Sequence, residues 1–144
     1  MRTVDAILAD IMQLRRFIGT AELDTLRDHM RGEEGEHFHA KIEELAELTR
    51  TMPKTYEQDG KGMEAVAYLH YFTGSGDWYI TERDQEEAQH QAFGLADLYG
   101  DGGELGYISI VELIQAGTEL DLYWTPTTLA AIRKESTIPR PQLC

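Results

Sequence analysis

Cysteine is almost missing from this sequence: of 144 residues only Cys144 is one. No internal disulfide can form, and a reducing, cytoplasmic setting is expected. Long apolar runs are missing too, since nothing approaches the eighteen or so consecutive apolar residues of a membrane helix. The opening MRTVDAILADIMQLRRF breaks its apolar residues with Asp5 and Asp10 and has no small-residue cleavage site, so it reads as a helix and not a signal peptide. Positive charge is scarce, with 13 Lys and Arg against 26 Asp and Glu, a formal −13. The imbalance is uneven: residues 1–62 carry −4 and residues 63–144 carry −9. Between Arg83 and Arg133 lie nine acids and no lysine or arginine. Such a surface repels nucleic acid and anionic membrane and attracts basic partners, although acidic residues also simply keep proteins soluble.

What is present is globular: 42% hydrophobic and 27% charged residues in a chain the length of one ordinary domain. The first fifty residues have helical periodicity. Val4, Ile7, Leu8, Ile11, Leu14 and Ile18 recur at three- and four-residue steps as one apolar stripe. Gly19 ends that helix and Thr20 caps a second, with Leu23, Leu26 and Met30 on one side and Gly32 closing it. A third runs from about Glu33, its stripe being Phe38, Ile42, Leu45, Leu48 and Met52, and stops at Pro53. Three short amphipathic helices must bury their stripes on each other, on the rest of the chain or on a second copy; a homodimer seam is the favoured expectation.

Residues 53–62, MPKTYEQDGKG from Met52 on, are polar and aperiodic and read as a linker. Beyond it the period becomes strand-like. EAVAYLHYF (Glu64 to Phe72) and DWYITER flank the turn TGSG as a hairpin. FGLADLY and LGYISI flank GDGGE as a second. A phosphate-binding glycine loop would lead from strand into helix and carry a lysine. Here the glycines join two strands beside Asp101 and Glu104, so the segment is a turn. SIVELIQAG begins a short helix closed by Gly117, and LDLYW is a final strand with Leu120, Leu122 and Trp124 on one face. TPTTLAAIRK is a helix with Thr125 as its cap and Pro126 at its first position. The expected fold is α+β: a helical region over 1–52, the linker 53–62, a core over 63–135 with a small, mostly antiparallel sheet of about five strands and two short helices, and an extended tail over 136–144.

WYITERD, FGLADL, ELGYISIVEL and LDLYWTPTTL resemble, in order and spacing, an uncharacterised family known as domain of unknown function 2958. The match covers about Leu69 to Ile132, and FGLADL…ELGYISIVEL is its specific part. The family tends to carry a charged pair before its last strand motif, where this chain has LDLYW. The resemblance implies a setting on phages, plasmids and conjugative elements, and no active-site residue to carry over.

Chemistry is thinly represented. Glu33, Glu34, Glu36, His37 and His39 crowd EEGEHFH, but on a helix residues two apart point about 200° from each other and cannot share a metal. They read as surface groups, and no metal or other cofactor is expected. His70 sits mid-strand with Asp77, Glu82 and Asp84 as candidate acids, the basis of an alternative reading as a small hydrolase or metal-dependent enzyme. A glycosidase-like pair of Glu82 and Glu104 is cheap among 26 acids, and no G-x-S-x-G elbow exists. Trp78, Tyr79, Tyr107, Tyr123 and Trp124 lie on the expected strands without the basic residues that base stacking requires. The leading expectation is therefore a non-enzymatic acidic binding protein, of the DNA-mimic, anti-restriction or anti-CRISPR inhibitor type. It would meet a basic protein through Asp97, Asp101, Glu104, Glu112, Glu119 and Asp121, with Trp78 and Trp124 as rim aromatics, and would engage neither nucleic acid nor membrane directly. A further alternative is a structural protein that dimerises through its N-terminal helices.

Overall fold

The computed structural model of the chain describes residues 3–29, 35–98 and 102–136. Among them five α-helices and two antiparallel sheets form an α+β fold. Helix α1 (Val4–Leu14) starts where Thr3 Oγ1 accepts the Ala6 N–H at 3.1 Å. Helices α2 (Thr20–His29) and α3 (Gly35–Thr51) follow. Leu14, Phe17 and Ile18, Leu23 and Leu26, and Ile42, Leu45, Ala46 and Met52 are all buried in one cluster. The α1–α3 contact is specified by polar groups: Asp10, 1% exposed, meets Arg50 at 2.8 Å, and Gln13 Nε2 donates to Thr49 Oγ1. A buried carboxylate requires such a partner, so the pair fixes the register of the two helices. The apolar residues of α1 do not share one face. Leu14 goes inward, while Val4, Leu8 and Met12 stand exposed.

The main sheet has five strands, β2 (Leu69–Phe72), β3 (Gly76–Glu82), β4 (Ala92–Leu98), β5 (Glu104–Ile108) and β6 (Glu119–Leu120), in spatial order β5-β4-β3-β2-β6. A two-stranded ribbon pairs β1 (Val66–Ala67) with β7 (Thr127–Thr128). Alternation sends Leu69, Tyr71 and Ile80 into the helical cluster, where the buried Tyr71 hydroxyl donates to Phe17 O at 2.6 Å. Burial, with the Glu22 carboxylate adding to it, pushes the Tyr71 phenol well above its ordinary pKa. The opposite, outer face carries a second core of Ala65, Ala67, Leu95, Leu129 and Ile132, covered by the ribbon and by α5 (Leu129–Ser136). A short helix α4 (Ile110–Gln115), capped by Ser109 Oγ and ended by Gly117 at φ +82°, follows β5.

Several expected elements are redrawn by pairing that no local pattern announces. The 64–72 run is a 3₁₀ turn (Gly62–Glu64), then β1, then β2, because the chain leaves β7 as its partner and takes up β3 at Tyr68. LDLYW supplies only the two residues of β6. Asp121 then closes a turn by accepting the Tyr123 N–H at 3.0 Å, which sends Trp124 to the outer face while Leu122 packs on the helical core. The last helix begins at Leu129, capped by Thr128 Oγ1, since Thr127 and Thr128 belong to β7. The β4–β5 turn has Gly102 and Gly103 at φ +95° and +80°, as an Asp-Gly turn requires; Asp101 lies outside the described residues. The 136–144 tail lies outside them from residue 137 on.

Between β3 and β4 the register passes from Ile80↔Gly94 to Glu82↔Phe93, leaving Thr81 as an extra residue. This is a β-bulge, and it breaks the alternation of β3: Ile80, Thr81 and Glu82 are all buried. Its consequence is the placement of Glu82.

Candidate functional site

Glu82, 4% exposed, is turned by the bulge toward residues 53–62 and grips them. Its two carboxylate oxygens accept the backbone N–H groups of Tyr56, at 3.0 Å, and of Gln58. Gln58 in turn donates to Val66 O and Thr81 O and accepts the Val66 N–H. Thr55 N and Arg83 N bond across to Arg83 O and Pro53 O. The stretch read as a linker is thus packed on β3, with Thr55 and Gln58 buried. Tyr56 pays locally for this geometry, standing at φ +80° where residues with a Cβ are strained, and the residue is 62% exposed.

Beneath Tyr56 lies a cleft of about 430 Å³. One wall is made by Tyr56, Gln58, Asp59, Gly60 and Gly62, the floor is Thr81, Glu82 and Phe93, and the far side is Leu105 and Tyr107 of β5, with Ala65 and Leu129 at the back. The Tyr56 and Tyr107 hydroxyls meet at 2.8 Å across its mouth, and Phe93 stands edge-on to Tyr107. The hydrogen bond to Tyr56 raises the Tyr107 phenol above its ordinary pKa. Glu82 and Asp59 are the carboxylates of the lining, and among the described lining residues there is no lysine or arginine; Lys61 stands exposed between Gly60 and Gly62. Apolar walls, a few fixed polar groups and a strained aromatic at the rim are the ingredients of a binding cleft.

His70 forms a second constellation, also on the outer face. Its Nε2 lies 2.7 Å from Asp77 Oδ1 and its Nδ1 lies 3.2 Å from Asp121 Oδ2, while the ring stacks on Tyr79 (4.7 Å, 7°) and leans on Trp124. Both nitrogens are engaged, and a general base needs one aimed at substrate. Of the acids expected around His70, only Asp77 reaches it. Glu82 is committed to the 53–62 loop, and Asp84 accepts the Glu86 and Gln91 N–H groups in its own turn. Asp121, expected only as a partner-binding acid, is the other half of the clamp. Among the described residues no group of three or more His, Cys, Asp or Glu is arranged to hold a metal ion. His39 is half-buried on α3, and the His37 side chain lies outside the described residues.

Of the acids expected to face a partner, Asp101 lies outside the described residues. Glu104, Glu112 and Glu119 are exposed, but Glu104 and Glu119 lie on β5 and β6, the two outer strands, roughly 19 Å apart by strand spacing. Asp97, opposite Asp77, is buried, and its Oδ1 has no hydrogen-bond partner among the described residues. The tryptophans lie on opposite faces, Trp78 against the helical core and Trp124 against the outer one. The residues that sequence reasoning passed over are Tyr56 and the Tyr56–Tyr107 pair; the local signal was an aromatic in the otherwise polar KTYEQDG.

A broader groove of about 710 Å³ runs between α2, α4 and residues 117–123. There Glu22 accepts the Leu120 N–H at 3.1 Å. Burial raises its pKa, the Leu120 bond opposes the rise, and Glu119 and Asp121 add to it. A raised folded-state pKa means stability present below the unfolded value and lost as pH climbs through the folded one. Glu22→Gln should therefore stabilise the protein at pH 7, by less than about 1 kcal/mol after solvent screening, and the gain should vanish at pH 4. Urea midpoints at the two pH values check this, and an equal shift at both would refute it. Among the described residues no helix is long and apolar enough to cross a membrane.

The family model described as "Protein of unknown function (DUF2958)" matches residues 40–126. The matched region takes in most of α3, both walls of the cleft and the His70 clamp, and stops before β7. No curated protein and no solved structure matches the chain.

Proposed function

The chain belongs to the DUF2958 family of proteins of unknown function, and we propose that it acts as a non-enzymatic acidic binding protein that docks on a basic surface of another protein. The observation that carries this reading is the cleft under Tyr56 and Tyr107, which pairs exposed aromatic rings with carboxylates and has no cation among its described lining residues. An arginine or lysine side chain of a partner finds there ring faces for cation–π contact and Asp59 for its charge. The proposed setting is a phage or other mobile element, with a partner whose basic surface otherwise holds nucleic acid, so that docking inhibits it. The scattered exposed acids Glu104, Glu112 and Glu119 serve in this reading as a steering field, and the cleft serves as the contact.

Steering and contact separate kinetically. With a partner recovered from host lysate at low salt, association should slow steeply as salt rises, because the Debye length falls from about 30 Å at 0.01 M to about 8 Å at physiological strength. Changing Glu104, Glu112 and Glu119 to Gln should lower the on-rate, whereas Asp59→Asn and Tyr56→Ala should raise the off-rate. Surface plasmon resonance reads both. An affinity indifferent to salt and to all five substitutions would sink the proposal.

A further inference from the structure

The two edges of the sheet are built differently. Edge β6 is two residues long and begins with Glu119, the short, charged form that discourages pairing with other chains. Edge β5 is five residues long, its only charge is Glu104 at one end, and Leu105 and Tyr107 stand 44% and 58% exposed on the outer face. Gly106 lies between them, and a Cβ there would meet nothing within 4 Å. A mid-strand glycine can mark a close approach of another backbone, and no packing among the described residues requires one at this position. Leu105 and Tyr107 also form the β5 side of the cleft, so a strand laid along this edge would direct alternate side chains over it.

We infer that β5 is a docking edge for an extended basic segment of a partner protein, which adds to the sheet as a sixth strand and lays an arginine or lysine side chain against the exposed Tyr107 ring, beside its hydroxyl contact with Tyr56. This inference rests on the reading of the protein as a binder of basic surfaces and adds the mode of binding. Charge selects the occupant. A second copy of this chain would bring another −13 and another Glu82–Asp59 cleft to the same edge, whereas a basic strand meets Asp59 and Glu82 at the cleft, away from Arg133, which is bonded to the Gly102 and Gly103 carbonyls before β5. Main-chain hydrogen bonds to this edge, which pairs with no second strand among the described residues, supply affinity, and the cleft supplies the preference for a cation.

The probe is a capped ten-residue peptide of alternating arginine and valine, with two controls: the same peptide N-methylated at every second residue, and its glutamate–valine counterpart. The alternating peptide is expected to bind, to slow amide exchange along β5, and to lose about tenfold or more in affinity on Tyr107→Ala and on N-methylation. Tyr107 is exposed, so the variant keeps its fold, and its unfolding midpoint checks this. Equal binding of parent and N-methylated peptides overturns strand addition while leaving the basic-partner reading intact. Equal binding of the arginine and glutamate peptides overturns the basic-partner reading and this inference with it. Absence of binding by the arginine peptide at millimolar concentration overturns the docking edge. A concentration-dependent dimer in light scattering that Leu105→Lys abolishes puts a second copy on β5 and overturns it as well.

Discussion

Gly94→Ala should destabilise the protein by about 3–5 kcal/mol, enough to unfold a domain of ordinary stability. A Cβ at Gly94 would lie 1.9 Å from the Tyr79 carbonyl oxygen and 3.0 Å from Ile80 Cα. Both are backbone atoms of β3, so no side chain can swing aside; the strands must part or the bulge at Thr81 must be rebuilt. Either response breaks the pairing of the two central strands and shifts Glu82 with them. The same sheet supplies the control. Gly106 is the direct cross-strand partner of Gly94, and its added Cβ meets nothing. Gly106→Ala should change stability by no more than about 1 kcal/mol, and in the stabilising direction, because alanine constrains the unfolded chain more than glycine does. Denaturant midpoints of the two variants should therefore differ widely. If they agree, the close approach at Gly94 is wrong.

Glu82→Ala comes second, with an expected loss of about 2–4 kcal/mol. Hydrogen bonds to a buried charged acceptor are strong, and the alanine variant leaves the Tyr56 and Gln58 N–H groups without their acceptor. Glu82→Gln should recover only part of this, since an amide offers one acceptor oxygen and turns its NH₂ toward the other donor. The loss has a local signature. Amide exchange at Tyr56 and Gln58 should accelerate in both variants more than exchange in α1 and α3, whose contacts Glu82 does not touch. Tyr56 relies on that carboxylate to stay at φ +80°, so its hydroxyl should also part from Tyr107. Unchanged exchange at the two amides would show that the loop holds its shape without Glu82.

How much of this could be read in advance follows the range of the forces involved. The helices, the two hairpins, the positive-φ glycines after Asp101 and the Gly117 stop rest on periodicity and backbone sterics within a few residues, and those are legible. The β1–β7 ribbon joins residues some sixty positions apart, and two-residue strands leave no pattern to detect. The site was hidden for the same reason. Glu82 reaches back across 26 residues to Tyr56, and Asp121 reaches 51 to His70, while any of 26 acids could have filled either role on composition alone. The 53–62 stretch misled most, because polarity, proline and glycine mark a turn-rich segment equally well whether it hangs free or is held by buried hydrogen bonds. Only the buried acceptor on β3 distinguishes the two, and a bulge created it.

The chain has two tryptophans, and the fold sets them on opposite sides of one sheet. Trp78 is packed with the helices, whereas Trp124 donates its indole N–H to Ala67 O at 3.0 Å and lies 5.0 Å from the His70 ring. The molecule therefore carries a built-in pair of fluorophores, each confined to a different layer. With one replaced by phenylalanine, the emission of the other follows its own layer alone, so the cooperativity between helical and outer cores becomes an optical quantity that requires no attached dye.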